Sequence, residues 1–331
     1  MISKGFTLLE MLLSVVIASL LLSVMFGWMK VTDAAQERSY RDSIRLDNQN
    51  IARALRSYAA AENNGFLPAP YTGGNYKSAP VDVGNATLLE YLAQGEIASS
   101  RYNQDDSASE NVKHYQLITP KPTYCMPIVG SSSECVTLSY DRAVIYQTTC
   151  ALADACNDGT PGASAPYAMS GWQPTYPDLS PVEISTLDIQ QSFWRDTWIR
   201  LNDVRWKIRT GFNATVAAAA AGDTTNHFFK PNLAGSPNLI GADPATNQGC
   251  RDGWYQLNSI DVNVLSYYGL DPQSVYAVTA WGGRIDYCQD YDPTNAGANV
   301  LPHVAALRIN KSVTAGSAPS ATITQNLILL I

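Results

Sequence analysis

The sequence is short of charge. Lys, Arg, Asp and Glu make up 15% of its 331 residues, against about 25% in an ordinary globular domain. The formal net charge is −7 and no basic run occurs, which argues against nucleic acid as the main partner. Histidine is scarce as well. His114, His227 and His303 lie far apart and there is no CxxC pair, so the ligand spacing of a zinc site is missing. The chain also lacks GxGxxG, a P-loop, HExxH and GxSxG. Nothing therefore points to catalysis, and the expectation is a non-enzyme without a cofactor. No period of 20–50 residues is evident, which excludes a solenoid.

What is present is apolar and aromatic. Hydrophobic residues reach 46% and Tyr alone numbers 18, ample for a core. There are six cysteines, Cys125, Cys135, Cys150, Cys156, Cys250 and Cys288. The number is even, and all follow the apolar N-terminal segment. Disulfides in an oxidising compartment fit this pattern. Six cysteines allow 15 pairings. Sequential pairing is expected, 125 with 135, 150 with 156 and 250 with 288, because short loops close easily.

The N-terminal segment carries the functional signal. From Phe6 to Met29 the chain is apolar with one charge, Glu10, and that length spans a hydrocarbon core of about 30 Å as a helix. A secretory signal peptide would have a shorter apolar core followed by its cleavage site. A plain anchor would not carry a carboxylate, which costs about 2.5–3.5 kcal/mol at the centre of a membrane helix. An acid inside such a span is a functional candidate by default. A glutamate that snorkels to the interface is the bland alternative.

The run Lys4-Gly5-Phe6-Thr7-Leu8-Leu9-Glu10 resembles the processing site of type IV prepilins. That resemblance implies cleavage after Gly5 by a prepilin peptidase and methylation of the new N-terminus, Phe6. Residues 1–5 would be the leader, and 6–64 the long pilin helix with 6–29 spanning the membrane. It also implies that Glu10 neutralises the N-terminal amine of a neighbouring subunit, and two opposite charges a few Å apart attract strongly in a low-dielectric core. Ser14, Ala18, Ser19, Ser23 and Gly27 are small enough to let neighbouring helices approach closely.

Beyond the span the pattern becomes amphipathic. Ile44, Ile51, Leu55 and Tyr58 form one stripe on a 3.6-residue period. No proline interrupts 6–64, and Asn63-Asn64-Gly65 signals a stop before the extended Leu67-Pro68-Ala69-Pro70. The run ending Leu55-Arg56-Ser57-Tyr58 and then Gly65-Phe66-Leu67-Pro68 is similar to the helix-to-head junction of pilin-like proteins. The remainder, 65–331, is expected to be an extracytoplasmic globular head of one lobe, or of two divided near 180. Ala86 to Gln94 reads as a short helix. Tyr115–Thr119 and Val136–Thr148 read as strands, and 150–176 as a loop. A second helical pattern runs from Pro181 to Phe212. Trp194, Trp198, Leu201, Ile208 and Phe212 share a face there, with Ile189 and Phe193 beside it and Trp206 apart. A buried face and an aromatic binding surface are the two readings. Ser274–Tyr287, Val304–Asn310 and Ala321–Ile331 read as strands.

The fold expected is α+β: a long helix, transmembrane then amphipathic, packed on a disulfide-stabilised head with an antiparallel sheet. Asp286, Asp290 and Asp292 cluster around Cys288 and are weak calcium candidates, since oxygen ligands on a short loop suit that ion. No metal is otherwise expected. The resemblance implies partners among other pilins or pseudopilins, through the N-terminal helix, and an inner-membrane assembly platform. It places the chain in the bacterial inner membrane as a single-pass protein, then in a filament. The head is larger than is typical of major pilins, which favours a minor pilin at or near the tip, serving assembly, adhesion or cargo selection. A type II secretion pseudopilin is one alternative. A membrane-anchored extracytoplasmic binding protein or enzyme is the other.

Overall fold

The computed structural model describes residues 8–73, 79–82, 84–97, 102, 113–128, 134–147, 179–233, 239–240, 247–259, 263–271, 273–292, 294 and 303–331. Four helices are described: α1 (Leu8–Glu62), α2 (Ala86–Gln94), α3 (Leu187–Ala217) and α4 (Val264–Tyr267). The strands are β1 (Lys113–Leu117), β2 (Thr123–Pro127), β3 (Cys135–Ser139), β4 (Arg142–Gln147), β5 (Leu179–Ser185), β6 (Tyr255–Gln256), β7 (Asp286–Cys288), β8 (Ala306–Asn310), β9 (Ser312–Val313) and β10 (Asn326–Leu330). The fold is α+β. Two compact units interleave along the chain: 1–55, 69–116 and 144–183 in the first, 56–68, 117–143 and 184–331 in the second.

In the first unit, Ile44, Ile51 and Leu55 of α1 are buried, the stripe that the 3.6-residue period marks. Asn48 falls on the same stripe and is buried too. Its Oδ1 accepts a hydrogen bond from the buried Lys113 Nζ at 2.8 Å, so a polar residue on an apolar face has a charged donor. Helix α2 starts where Asn85 caps it, its side chain accepting from Leu88 N at 3.0 Å. It stops at Gly95 and buries Leu88 and Leu92, one turn apart. Strand β4 is the middle of a three-stranded sheet ordered β1-β4-β5, which lies mostly in this unit. Val144, Ile145 and Tyr146 are buried in succession, as in a strand covered on both faces.

The second unit is built around α3. Gln190, Trp194, Thr197, Leu201, Val204 and Ile208 are its buried residues, spaced alternately by three and four. Trp194, Leu201, Val204 and Ile208 share one core with Tyr255, Trp281, Tyr287 and Leu307, and each such burial contributes roughly 1.5–3 kcal/mol. The burial-face reading of the helix thus holds for Trp194, while Trp206 is 63% exposed. A four-stranded antiparallel sheet runs in the order β10-β8-β7-β6. A second sheet pairs β2 with β3 antiparallel and β3 with β9 parallel. Disulfides join Cys125 to Cys135, across β2 and β3, and Cys250 to Cys288. Cys150, Cys156 and the 150–176 stretch lie outside the described residues.

Four elements depart from the sequence reading. Ala321–Ile331 is a strand only over Asn326–Leu330, since Ile323–Gln325 form a 3₁₀ turn before it. Pro181–Ser185 is the end of strand β5, not the start of a helix. It sits at a sheet edge, where the missing proline N–H costs no ladder bond, and the helix begins only after Thr186. Ser274–Tyr287 is not one strand. The Ser274 side chain accepts from Tyr276 N and caps a 3₁₀ turn, and Gly282, at φ +70°, lets the chain reverse between Thr279 and Gly283. Val136–Thr148 is two strands, interrupted at Tyr140-Asp141. Strand β2 had no clear alternation in the sequence, and it is mostly exposed.

Candidate functional site

Helix α1 presents two different surfaces along its length. Met11, Leu12, Leu13, Val15, Val16, Ile17, Leu20, Leu21, Leu22, Val24, Met25, Phe26, Trp28, Met29 and Val31 are all at least 45% exposed. The helix is long and apolar enough to cross a membrane. The hydroxyls along this stretch bond back to the helix itself. The hydroxyls of Ser14, Ser19 and Ser23 donate back to the carbonyls of Met11, Val16 and Leu20 at 2.8, 2.8 and 2.9 Å. Thr32 Oγ1 does the same to Met29 O at 2.8 Å. Each hydroxyl is satisfied within its own helix, so these small residues present no unmet hydroxyl donor to lipid or to a neighbouring helix. The backbone of Glu10 lies in the first described turn. Gly5 and Phe6 lie outside the described residues.

The C-terminal turns of α1 end in a different way. Asn64 and Gly65 take left-handed backbone angles, φ +52° and +79°, which terminate the helix. Gln190 of α3 reaches this point: its Nε2 donates to Asn64 O at 3.2 Å, and its Oε1 accepts from Trp281 Nε1 at 2.6 Å. Arg56 pairs with Asp188 and donates to Ser185 O at 2.9 Å. Next to them Asp141 is almost wholly buried. Its Oδ2 accepts from Leu67 N at 2.7 Å, its Oδ1 lies 3.0 Å from Lys121 Nζ, and its own N–H donates to Thr186 Oγ1 at 2.9 Å. Lys121 Nζ also sits 3.8 Å from the centre of the Phe66 ring. The Gly65-Phe66-Leu67 stretch is therefore fixed by α3 and by the turn before β4. Gln190 and Asp141 were not singled out in the sequence, because each acts on residues distant in the chain, and the junction run that contains Arg56 did not indicate its partners Ser185 and Asp188.

In the acidic cluster around Cys288, Asp286 and Asp290 sit in ion pairs. Asp286 is fully buried, with Arg308 Nε and Nη2 at 2.9 Å and Arg284 Nε at 2.7 Å. Burial pushes the Asp286 carboxyl up and the Arg308 guanidinium down, and their mutual attraction opposes both shifts. Arg308 also lies 4.3 Å from the Trp254 ring centre and donates to Gln248 Oε1 at 3.0 Å. Asp290 faces His303 Nδ1 at 3.2 Å and Arg251 Nη1 at 3.5 Å. Asp292 Oδ1 accepts from Thr294 N and Oγ1 at 2.9 and 2.7 Å. The structure does not gather the three calcium candidates. Each carboxylate faces its own partners, and among the described residues no group of three His, Cys, Asp or Glu side chains is placed to hold a metal ion.

Against known proteins, the family pattern described as the prokaryotic N-terminal methylation motif matches residues 1–26. No curated protein and no solved structure gives a match.

Proposed function

We propose that this type IV pilin-like chain, whose N-terminus carries a prepilin cleavage motif, is a minor pilin that enters a filament at or near its tip. The motif implies processing by a prepilin peptidase and assembly with pilins in general. The reading rests on one observation above the others: a match over 1–26 coincides with a helix whose apolar side chains from Met11 to Val31 are exposed. Such a surface is stable only in lipid or against other helices. In this account the chain waits in the inner membrane with its head outside the cytoplasm, then packs that surface against neighbouring subunits. Glu10 meets the amine of a neighbour's Phe6, a pairing that removes two isolated charges from an apolar environment. The role is structural rather than enzymatic.

The size of the 65–331 head supports a minor over a major subunit, because a bulky head is hard to repeat along a thin filament. Shearing filaments from cells and quantifying this chain against the dominant pilin tests the assignment. A trace amount in the sheared fraction is expected, and Glu10→Ala should lower it further while leaving cleavage intact. Equimolar or dominant amounts would make the chain the main structural subunit. Retention in the envelope, with none sheared, would favour a pseudopilin.

A further inference from the structure

The second unit contains a cleft of about 240 Å³ that the filament role does not use, lined among others by Thr225, Phe228, Lys230, Arg251, Asp252 and Gln289. Its walls are firmly held. Arg251 and Asp252 follow Cys250, and Gln289 follows Cys288, so the Cys250–Cys288 disulfide ties two walls together. The peptide of Lys230 is clamped by two tyrosines. Lys230 N donates to Tyr268 Oη at 3.2 Å, and Lys230 O accepts from Tyr268 Oη at 2.6 Å and from Tyr287 Oη at 3.4 Å. Buried Gln289 accepts from Leu233 N at 2.8 Å and donates to Asp252 Oδ2 at 3.2 Å, fixing that carboxylate. The Phe228 ring is backed by His303 at 3.6 Å between centroids.

The charges in this cleft are unusual for so rigid a place. Lys230 makes no ion pair among the described residues, and neither does Asp252, although both line the same cleft. A strong cationic donor and a strong anionic acceptor are thus held apart. A ligand that satisfies both carries an anionic group for Lys230 and hydroxyl donors for Asp252. The Phe228 ring offers an apolar face to the C–H side of a small ring. Arg251, paired with Asp290 at 3.5 Å, adds positive potential that disfavours a ligand ammonium. The volume is below the 300–1,000 Å³ of sites for drug-sized molecules, roughly enough for one ring.

We propose that this cleft binds a single acidic sugar, its carboxylate at Lys230 and its hydroxyls at Asp252. The site stands whether or not the chain is a minor pilin. The test titrates the full-length chain in detergent with D-glucuronate by calorimetry. Glucose serves as a ring without charge, succinate as charge without a ring and alanine as a zwitterion. Saturable binding of glucuronate is expected, with each of the three controls at least about tenfold weaker. Lys230→Met should lower glucuronate affinity about tenfold or more. That variant keeps the fold, because the contacts of Lys230 with Tyr268 and Tyr287 are made by its backbone, and an unchanged near-ultraviolet spectrum verifies it. No saturable binding, a control that binds as tightly as glucuronate, or a folded Lys230→Met variant with parental affinity would overturn the proposal.

Discussion

Asp286 concentrates the electrostatic risk of the head in one residue. It is wholly buried, and Arg308 and Arg284 supply the opposite charge. Removing one member of such a pair strands the other, at a cost of about 3–5 kcal/mol. Arg308→Met is expected to lose that much in urea unfolding of the chain in detergent, and Asp286→Asn a comparable amount. The double variant should lose clearly less than the two added together, because the residues touch. Additive losses would mean that the contact contributes nothing. Tyr268 gives a second test at this scale. Burial raises its hydroxyl from 10.0 to about 12, against the pull of its bond to Lys230. The folded chain holds this proton more tightly than the unfolded chain does. Its contribution to stability is therefore whole below pH 10 and is lost as the pH rises to about 12. Unfolding should become easier across that window, and Tyr268→Phe should flatten part of the slope. A slope unchanged in Tyr268→Phe would count against this assignment.

The helix stop at Gly65 is the element with the least room. A Cβ there would stand 2.5 Å from Gln190 Nε2, and the backbone φ is +79°. Gly65→Ala must accept left-handed strain of roughly 1–2 kcal/mol and also push Gln190 from Asn64 O and Trp281 Nε1. A fall in melting temperature is expected, together with a change in the Trp fluorescence. A variant as stable as the parent would show that this end of α1 is not fixed as described. Asn63-Asn64-Gly65 announced that stop in the sequence, since the residues that end a helix are local. Helix α2 was legible for the same reason: Asn85 and Gly95 bracket it. Strand β5 was hidden by a helical pattern that begins just after it, and Ser274–Tyr287 by a short alternation that Gly282-Gly283 breaks. What could not be read was long-range. Nothing near Gln190 in sequence says that it will join Asn64 to Trp281. Nothing near Asp286 says that Arg308 will claim it before a cation can. The cleft at Lys230 was equally invisible, because its walls are brought together by contacts distant in the chain: the Cys250–Cys288 disulfide, the Tyr268 and Tyr287 hydroxyls on Lys230 O, and Gln289.

At the scale of the whole molecule, the chain divides its chemistry by position. From Met11 to Met29, α1 offers apolar and aromatic side chains and serine hydroxyls already satisfied within the helix. The later half buries a stripe from Ile44 to Leu55. The sheets and described disulfides follow, with Arg and Asp paired inside. The first of these regions was the most legible in sequence, because a membrane imposes length and apolarity on consecutive residues, and the motif at 1–26 adds a local signature. That motif makes processing the central claim. The most direct measurement is the intact mass of the mature chain purified from its native membrane. The account predicts loss of residues 1–5 and a methylated Phe6 at the new N-terminus. A chain that retains Met1, or one cut near Ala18, would contradict it.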